Sequence, residues 1–384
     1  MSKKTQRISQ IIMVSVFLIF ILGFCVWTFL LKDREFSEME NRSLAQFPEF
    51  SWKNLKEGAF TDGLEKYMSD QLPFKDELVT LKTDTERLLM HDLQNGVYFG
   101  KDGYYLQNYK ENTAQVEKNI SCINDLAELC PGKDISLLLI PNSISVMSDK
   151  LPDVNTTQDQ QKTIDRIKQG LDSSVKFYCP MQELKDAAKD GTQVFYKTDH
   201  HWTSDGARVA FDGFMKFLGE DELKADYSVK ELSGFLGTLY SKAPTAFADK
   251  ETMKLFTDKN NKLTVKYTDA NRNETTDTLF DSSFEDKKDK YSTFLGGNYS
   301  MVEIKSDNAQ KKENVLILKD SYANCAMPYF TSMYSNVTML DMRYYHMQEL
   351  DVSDYIKQKN IDKVILLYNV DFFNTDNNFV ELSF

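Results

Sequence analysis

The residues best suited to acid–base chemistry lie in the segment TDHHWTSDG, residues 198–206. Two of the four histidines of the chain are found there. Asp199 precedes His201 by two residues, so in a turn its carboxylate can orient the imidazole and stabilise the imidazolium. This spacing predicts a general base made of His201 and Asp199. The four histidines are His91, His200, His201 and His346.

A matching nucleophile is found in VLILKDSYANC, where Ser321 follows an apolar run. A serine hydroxyl is a weak nucleophile until a base activates it, and a strand-to-helix turn exposes it beside free backbone N–H groups. The N–H groups of Ser321 and Tyr322 are therefore predicted donors to an oxyanion. Asn369, which follows the run DKVILLY, is predicted to add a side-chain donor, and Asn298 in FLGGNYS is the rival.

Each of these residues also has a purely structural interpretation. A serine at the end of a strand commonly caps a helix, and Asn369 fits a turn equally well. Trp202 fits a hydrophobic core. A metal site is not predicted, because the histidines are few, no H-x-x-x-H pattern occurs and no cysteines are paired in sequence. No cofactor is expected.

The apolar pattern around these motifs predicts a doubly wound α/β fold. Short runs of Val, Ile and Leu are typical of parallel strands that are buried on both faces. Helical patterns separate the runs, which favours a parallel sheet with helices on both sides. The predicted strands are residues 135–141, 174–180, 194–202, 314–322, 336–345 and 362–370.

The main domain is predicted to cover residues 96–384. The aromatic segment NGVYFGKDGYYL predicts a hairpin at its start, and apolar residues at helical spacing predict a helix over 204–218. The α/β rhythm is interrupted at about 222–312, where FLGTLYSK, the alternating KLTVKYT and the charged FEDKKDK indicate an insertion with its own small β elements.

The N-terminal part predicts a single-pass membrane protein. Residues 11–31 carry no charge and are long enough to span a hydrocarbon core of ~30 Å. Lys3, Lys4 and Arg7 precede this stretch, which places residues 1–10 in the cytoplasm and the rest outside. The absence of a small-x-small site favours an uncleaved anchor over a signal peptide.

Residues 32–95 are predicted to form a stalk and two amphipathic helices that pack on the main domain. The first helix is predicted at residues 61–71. The second begins after Pro73 and ends near Met90. Its apolar stripe consists of Leu78, Leu81, Thr85, Leu88 and Leu89.

The charge of the chain excludes one class of partner. The net charge of the chain is −12 and all of its acidic residues lie after residue 31, so the chain lacks the basic surface that nucleic acids or anionic headgroups require. Nucleic-acid binding is therefore not expected.

Several separate motifs in one order resemble the bacterial DHHW protein family, which is similar to the SGNH-like acetyltransferases of alginate O-acetylation. They are TDHHWT, FLGTLYSK, YSTFLGGNYS, LKDSYANC and LDMRYY, and ENRSLAQFP and DQLPFKDE extend the likeness over most of the chain after residue 31. The resemblance implies a circularly permuted SGNH-hydrolase-like fold. It also implies a triad of Asp199, His201 and Ser321, with the D-x-H element ahead of the serine.

The same resemblance places LDMRYY at the second SGNH block and Asn369 at the third. Two departures stand out: Lys319 replaces the glycine of Gly-Asp-Ser, and no Gly-x-Asn-Asp surrounds Asn369. His200, Trp202 and Arg343 are the candidates for contact with a substrate.

The resemblance implies an O-acyltransferase, most simply an acetyltransferase, that modifies a cell-surface or exported polysaccharide. Acetyl-CoA is absent outside the membrane, so a membrane-bound O-acyltransferase partner would have to supply the acyl group. Two alternatives remain: a polysaccharide acetyl esterase that uses the same triad, and a catalytically silent polysaccharide-binding scaffold. The loss of the glycine before Asp320 would be the basis of the scaffold.

Overall fold

The computed structural model describes residues 3–270, 272–345 and 351–383, and the chain divides into two compact units. The first unit comprises Met1–His91 and Ser241–Phe247, and the second comprises Asp92–Tyr240 and Ala248–Phe384. Up to residue 91 the helices and strands are α1 (Lys3–Leu30), β1 (Phe36–Ser37), β2 (Arg42–Ser43), α2 (Trp52–Lys56), α3 (Ala59–Asp70) and α4 (Lys75–Leu88).

Helix α1 is apolar over most of its length. Its segment Thr5–Leu30 is long and apolar enough to cross a membrane, a property that an N-terminal signal sequence shares. Helices α3 and α4 are the two amphipathic helices predicted from the apolar periodicity. Acidic residues in the first turn of α4 and Arg87 in its last turn complement the helix dipole.

From residue 92 onward the chain alternates strands with helices. The elements are β3 (Leu93–Gln94), β4 (Val97–Phe99), β5 (Tyr105–Gln107), α5 (Thr113–Leu129), β6 (Asp134–Ile140), α6 (Ser143–Val146), α7 (Gln160–Gly170), β7 (Val175–Tyr178), α8 (Met181–Lys189), α9 (Ser204–Leu218), β8 (Tyr227–Phe235), α10 (Thr238–Lys242), β9 (Glu251–Asp258), β10 (Leu263–Thr268), β11 (Thr275–Thr276), β12 (Met301–Ser306), β13 (Lys311–Lys319), α11 (Met327–Met333), β14 (Tyr334–Asp341), α12 (Met342–Tyr345), α13 (Val352–Gln358), β15 (Lys363–Asn369) and α14 (Val370–Thr375).

One eight-stranded sheet organises the second unit, in the order β11-β10-β12-β14-β13-β15-β6-β7. The five strands from β14 to β7 are parallel, and they are the apolar runs predicted near residues 336, 314, 362, 135 and 174. Strand β13 lies between β14 and β15, where Leu316 pairs with Thr338 and with Val364. The predicted α/β class is confirmed, with a mixed sheet that is parallel over five strands.

The region predicted as an insertion contributes to this same sheet. Strands β10, β11 and β12 extend its edge in antiparallel pairing, while β8 and β9 form a separate two-stranded ribbon. The alternating KLTVKYT run is β10, whose alternate residues Val265 and Tyr267 are buried. The insertion therefore has β structure, and part of it widens the central sheet.

One predicted strand is wrong. Residues 194–202 form a loop between α8 and α9, with a single bridge between Phe195 and Trp202. The loop closes on itself, because Tyr196 N–H donates to the His201 carbonyl and Thr203 N–H donates to the Val194 carbonyl. Phe195 and Tyr196 are buried core residues, which explains why the segment resembles a strand in sequence.

Candidate active site

Asp199, His201 and Ser321 form one hydrogen-bonded chain. The Nδ1 atom of His201 lies 2.6 Å from Oδ1 of Asp199, and its Nε2 atom lies 2.8 Å from Oγ of Ser321. Asp199 and His201 are buried, whereas Ser321 is partly exposed. The structure thus brings together a hydroxyl, an imidazole and a carboxylate from two segments that are 120 residues apart.

The carboxylate of Asp199 is held on both oxygens. Oδ1 also accepts the backbone N–H of His201 at 2.9 Å, and Oδ2 accepts the backbone N–H and hydroxyl of Thr238 at 2.7 and 3.0 Å. Burial opposes ionisation, but the two neighbouring histidines and these hydrogen bonds outweigh it and lower the pKa of Asp199. Asp199 is therefore a fixed anion beside His201.

The FLGTLYSK motif provides the space and the donors for Asp199. An added Cβ at Gly237 would overlap the Asp199 side chain, so only glycine allows the backbone this approach. The next residue, Thr238, supplies the two donors to Asp199 and also contacts Nδ1 of His200 at 2.5 Å. This turn thereby positions the side chains of Asp199 and His200 beside the imidazole of His201.

Glu251 holds the loop that carries Asp199 and His201. Its carboxylate accepts the N–H groups of Lys197 and Thr198, at 2.7 and 2.8 Å, and the Thr198 hydroxyl at 2.7 Å. Burial raises the pKa of Glu251 above its ordinary value. These bonds satisfy backbone donors that a sheet partner would otherwise satisfy, which is the physical reason that the loop needs no strand.

Ser321 begins a 3₁₀ turn at the end of β13, and Asp320 caps that turn. Oδ1 of Asp320 accepts the N–H of Tyr322 at 2.8 Å, and Oδ2 accepts the N–H and side-chain amide of Asn369, each at 2.7 Å. Burial raises the pKa of Asp320 to about 6 although these donors oppose the shift.

This capping changes which groups can face an oxyanion. The N–H of Tyr322 is used by Asp320, so the structure does not leave it for the oxyanion predicted from the sequence. Within the described part of the chain, the N–H of Ser321 has no hydrogen-bond acceptor. Of the two backbone donors predicted, the one on Ser321 is available.

Asn369 supports the serine turn in the structure. Besides its two bonds to Asp320, its side-chain oxygen accepts the Phe372 N–H at 3.0 Å and a side-chain N–H of Asn142 at 2.9 Å. Asn142 also donates to the hydroxyl of Tyr322 at 3.1 Å. Asn369 therefore links the ends of two neighbouring strands, β13 and β15, a use that the sequence does not reveal.

Lys319, in place of the expected glycine, begins a buried charge network. Its ammonium contacts side-chain oxygens of Asn298 and Asn324 at 2.7 and 2.8 Å, and of Asp341 at 3.3 Å. Burial lowers the pKa of Lys319 to about 8. Arg343 binds the same Asp341 carboxylate through two nitrogens, at 2.7 and 2.5 Å.

This network has two consequences for the predicted site. Lys319 points into the protein and leaves the Asp320 turn intact. Arg343, whose side chain is one-quarter exposed, is fixed by Asp341 rather than free, and a role in substrate contact stays a prediction. Asn298 presents its side-chain oxygen to Lys319, which directs its amide nitrogen away from that ammonium.

His200 and Trp202, the other two residues predicted to contact a substrate, differ in burial. His200 is one-third exposed, and its ring lies 3.8 Å from that of His201, so contact with a substrate stays a prediction. Trp202 is buried, and its Nε1 donates to the Tyr322 carbonyl at 2.9 Å. This burial agrees with the core interpretation of Trp202, and contact with a substrate stays a prediction. His346 lies outside the described residues.

Tyr291 is a site residue that the sequence reasoning missed. Its ring stacks on His201 with centroids 3.6 Å apart and planes at 7°, and its hydroxyl donates to the Ser321 carbonyl at 3.0 Å. Burial raises the pKa of Tyr291 well above its ordinary value, which keeps the hydroxyl a donor. The only sequence signal was its place as the first residue of YSTFLGGNYS.

The side chains around His201 are also of the types that bind metal ions. Asp199, His200 and His201 each offer a ligand atom within 4.8 Å of the others. Both ring nitrogens of His201 are engaged by Asp199 and Ser321, and both oxygens of Asp199 accept hydrogen bonds. A metal ion would have to displace these bonds, so the donor set is better suited to proton transfer.

The large parallel-rich sheet gives the protein an SGNH-like α/β fold, and the serine, histidine and aspartate meet at the carboxyl edge of that sheet. The match to a family is more specific. Residues 90–340 match the DHHW protein family, and the chain belongs to that family.

Comparison with known proteins agrees with this assignment. The chain is 21% identical over 223 residues to a protein described as probable alginate O-acetylase AlgJ of Pseudomonas fluorescens, covering 56% of this chain and 53% of the relative. The chain thus spans about half the length of that curated relative.

Two solved structures share the fold. A DHHW family protein from Eubacterium siraeum DSM 15702 superposes with a TM-score of 0.63 at 21% identity, covering 76% of this chain and 95% of that one. Bacillus cereus PatB1 with a sulfonyl adduct superposes with a TM-score of 0.62 at 24% identity, covering 74% and 97%.

Proposed function

We propose that this protein is an O-acyltransferase, most simply an O-acetyltransferase, that modifies a cell-surface or exported polysaccharide through an acyl-serine at Ser321. The observation that carries the proposal is the hydrogen-bonded chain from Asp199 through His201 to Ser321. The similarity to a probable alginate O-acetylase supports acyl transfer to a polysaccharide.

The first half-reaction forms the acyl-serine. His201 Nε2 removes the Ser321 proton as Oγ attacks the carbonyl carbon of the acyl donor, and Asp199 stabilises the imidazolium. The Ser321 N–H donates to the oxyanion. The tetrahedral intermediate then collapses, the donor's leaving oxygen takes the proton from His201, and the acyl group stays on Ser321.

The second half-reaction repeats these steps with a sugar. A sugar hydroxyl gives its proton to His201 and attacks the acyl carbonyl, and the oxyanion forms again. Collapse breaks the bond to Ser321, whose Oγ recovers the proton from His201. The products are an acylated sugar and free enzyme.

The N-terminal helix supports a location for this reaction. In the proposal α1 is an uncleaved anchor, residues 1–10 are cytoplasmic, and the catalytic domain lies outside the membrane. The acyl group then arrives through a membrane-bound O-acyltransferase partner, because acetyl-CoA is confined to the cytoplasm. Neither a cofactor nor a nucleic acid takes part.

The structure bears differently on the two alternatives. An acetyl esterase would use the same three residues with water in place of the sugar. The scaffold hypothesis depended on a deformed turn at Lys319, yet Asp320 caps that turn and Ser321 keeps its contact with His201. The esterase is therefore the closer competitor.

The test supplies the purified full-length chain with an acetyl donor and oligosaccharide acceptors. Acetylated sugar and free acetate are quantified by mass spectrometry, and Ser321 is probed with a sulfonyl fluoride. Ser321→Ala should abolish both labelling and turnover, whereas Ser233→Ala, at an exposed serine of β8, should change neither. Acetate without acetylated sugar would favour the esterase, and a wild-type chain that neither labels nor turns over would overturn the proposal.

A further inference from the structure

Exposed large apolar side chains are concentrated in the segment that follows α1. Among the described residues, positions 36–90 carry eleven of them, whereas the much longer second unit carries five. A concentration of this kind marks a surface that contacts another apolar medium. The eleven are Phe36, Phe47, Phe50, Trp52, Leu55, Phe74, Leu78, Leu81, Leu88, Leu89 and Met90.

Helix α4 contributes a continuous apolar stripe to this surface. Leu78, Leu81 and Leu88 lie at i, i+3 and i+10, which places them on one face of the helix. Their exposed fractions are 41%, 63% and 84%. Thr83, on another face of α4, is buried.

The surface is continuous with the end of α1. The ring of Phe74, just before α4, meets that of Trp27 edge-on at 5.3 Å, and Phe47 meets Phe29 at 6.4 Å. Trp27 and Phe29 belong to the last turn of α1. If α1 spans a bilayer, its last turn lies at the boundary between acyl chains and headgroups, and these contacts hold Phe47 and Phe74 at the same depth.

The composition of the surface fits that depth. Trp side chains are favoured where an apolar medium meets water, and Phe and Leu line the inserted face of helices that lie in a membrane interface. The acidic and basic residues of α4 nearly balance, and the chain as a whole is acidic, so anionic headgroups are not what attracts this surface. Apolar insertion is the force available, as it is for amphipathic helices that lie in the plane of a membrane.

We propose that the exposed apolar surface of residues 36–90, the juxtamembrane face, inserts into the boundary layer of the bilayer beside α1. The proposal rests on the proposed anchoring by α1, and it replaces a free stalk with a segment that lies on the membrane. The lipid is recognised by its acyl-chain boundary and not by a particular headgroup.

The test uses the full-length chain in two sets of phosphatidylcholine vesicles, whose acyl chains carry bromine either near the headgroup or near the centre of the bilayer. The chain has only three tryptophans, of which Trp202 is buried. The Trp27→Phe variant therefore reports on Trp52, which is 72% exposed, and the Trp52→Phe variant reports on Trp27. We expect the fluorescence of both reporters to be quenched, and shallow bromines to quench Trp52 more strongly than deep ones.

Paired substitutions test the surface itself. Leu81→Glu with Leu88→Glu, in the Trp27→Phe background, should remove most of the Trp52 quenching. Val154→Glu, at an exposed valine of the second unit, should leave it unchanged. Quenching of Trp27 without Trp52 would overturn the juxtamembrane face and keep the anchor, whereas a Trp27 that is not quenched would overturn the anchor itself.

Discussion

The aromatic ring of Tyr291 covers one face of the His201 imidazole, with the two ring centroids 3.6 Å apart and nearly parallel. The same tyrosine donates its hydroxyl to the carbonyl of Ser321. Tyr291 thus fixes both the orientation of the His201 ring and the position of the Ser321 backbone. An aromatic face also stabilises a cation, so the stack favours the imidazolium that forms when His201 takes a proton.

Replacing Tyr291 should separate these two effects. Tyr291→Leu removes the ring, and we expect the labelling of Ser321 by a sulfonyl fluoride to slow about tenfold, the equivalent of ~1.4 kcal/mol. Tyr291→Phe keeps the stack and should slow labelling less. Thermal unfolding of each variant provides the control for folding. Equal rates for Tyr291→Leu and wild type would show that the stack has no role.

Gly237→Ala should damage the site through Asp199. The added Cβ overlaps the carboxylate side chain, so Asp199 must move away from His201. We expect the labelling rate to fall by about 10²-fold or more, because the base loses its orientation. Gly219→Ala, at the end of α9 with a φ of 74°, strains the backbone without a clash and serves as the control. It should cost about 1 kcal/mol of stability at an unchanged rate.

The two adjacent histidines should differ sharply. His201→Ala removes the base and should lower turnover about 10²- to 10⁴-fold. His200→Ala removes a partly exposed ring that contacts Thr238 and should retain far more activity. Steady-state turnover of an acetyl ester measures both variants. The reverse ranking would identify His200 as the base.

Asn369→Ala should lower both stability and reactivity. It removes a donor to the buried carboxylate of Asp320, which we expect to cost about 1–3 kcal/mol in the free energy of unfolding. Asn112 caps α5, and Asn112→Ala should cost about 1 kcal/mol without slowing the labelling of Ser321. A slower rate at full stability would instead assign Asn369 directly to the oxyanion, as the sequence predicted.

Asp320 should make stability depend on pH in a defined window. Burial raises its pKa in the folded protein from 3.8 to about 6, so between these values the folded state keeps a proton that the unfolded state releases. Its contribution to stability is therefore present at lower pH and is lost as pH rises to about 6. The stability of wild type relative to Asp320→Asn should fall by about 2 kcal/mol between pH 4 and 7, measured by denaturant unfolding. A constant difference would contradict the shift.

The sequence predicts this fold well where burial determines the pattern. Strands such as β13 and β15 are apolar on both faces, and that signal is local. The loop at 194–202 misleads because its backbone is satisfied by Glu251, about fifty residues away, which no local pattern reveals. Tyr291 was missed for the same reason: its stack on His201 is a tertiary contact between a 3₁₀ turn and a distant loop.

The replacement of the expected glycine by Lys319 shows a further limit of prediction from the sequence. The sequence reveals that the expected glycine is missing and suggests a damaged turn. It cannot reveal that the lysine side chain leaves the turn for Asp341, which lies on the neighbouring strand. That contact depends on the pairing register of β13 and β14, which places Lys319 opposite Asp341.

The order of the central strands also constrains when the protein can fold. Among the described residues β15 is the last strand in chain order, yet it lies between β13 and β6 and pairs with β6, which is 229 residues earlier. Until it arrives, the two halves of the sheet expose unpaired edges, which are prone to aggregation, and Asp320 lacks its partner Asn369. All three candidate catalytic residues therefore precede the strand that joins the two halves of the sheet, so formation of the site depends on β15.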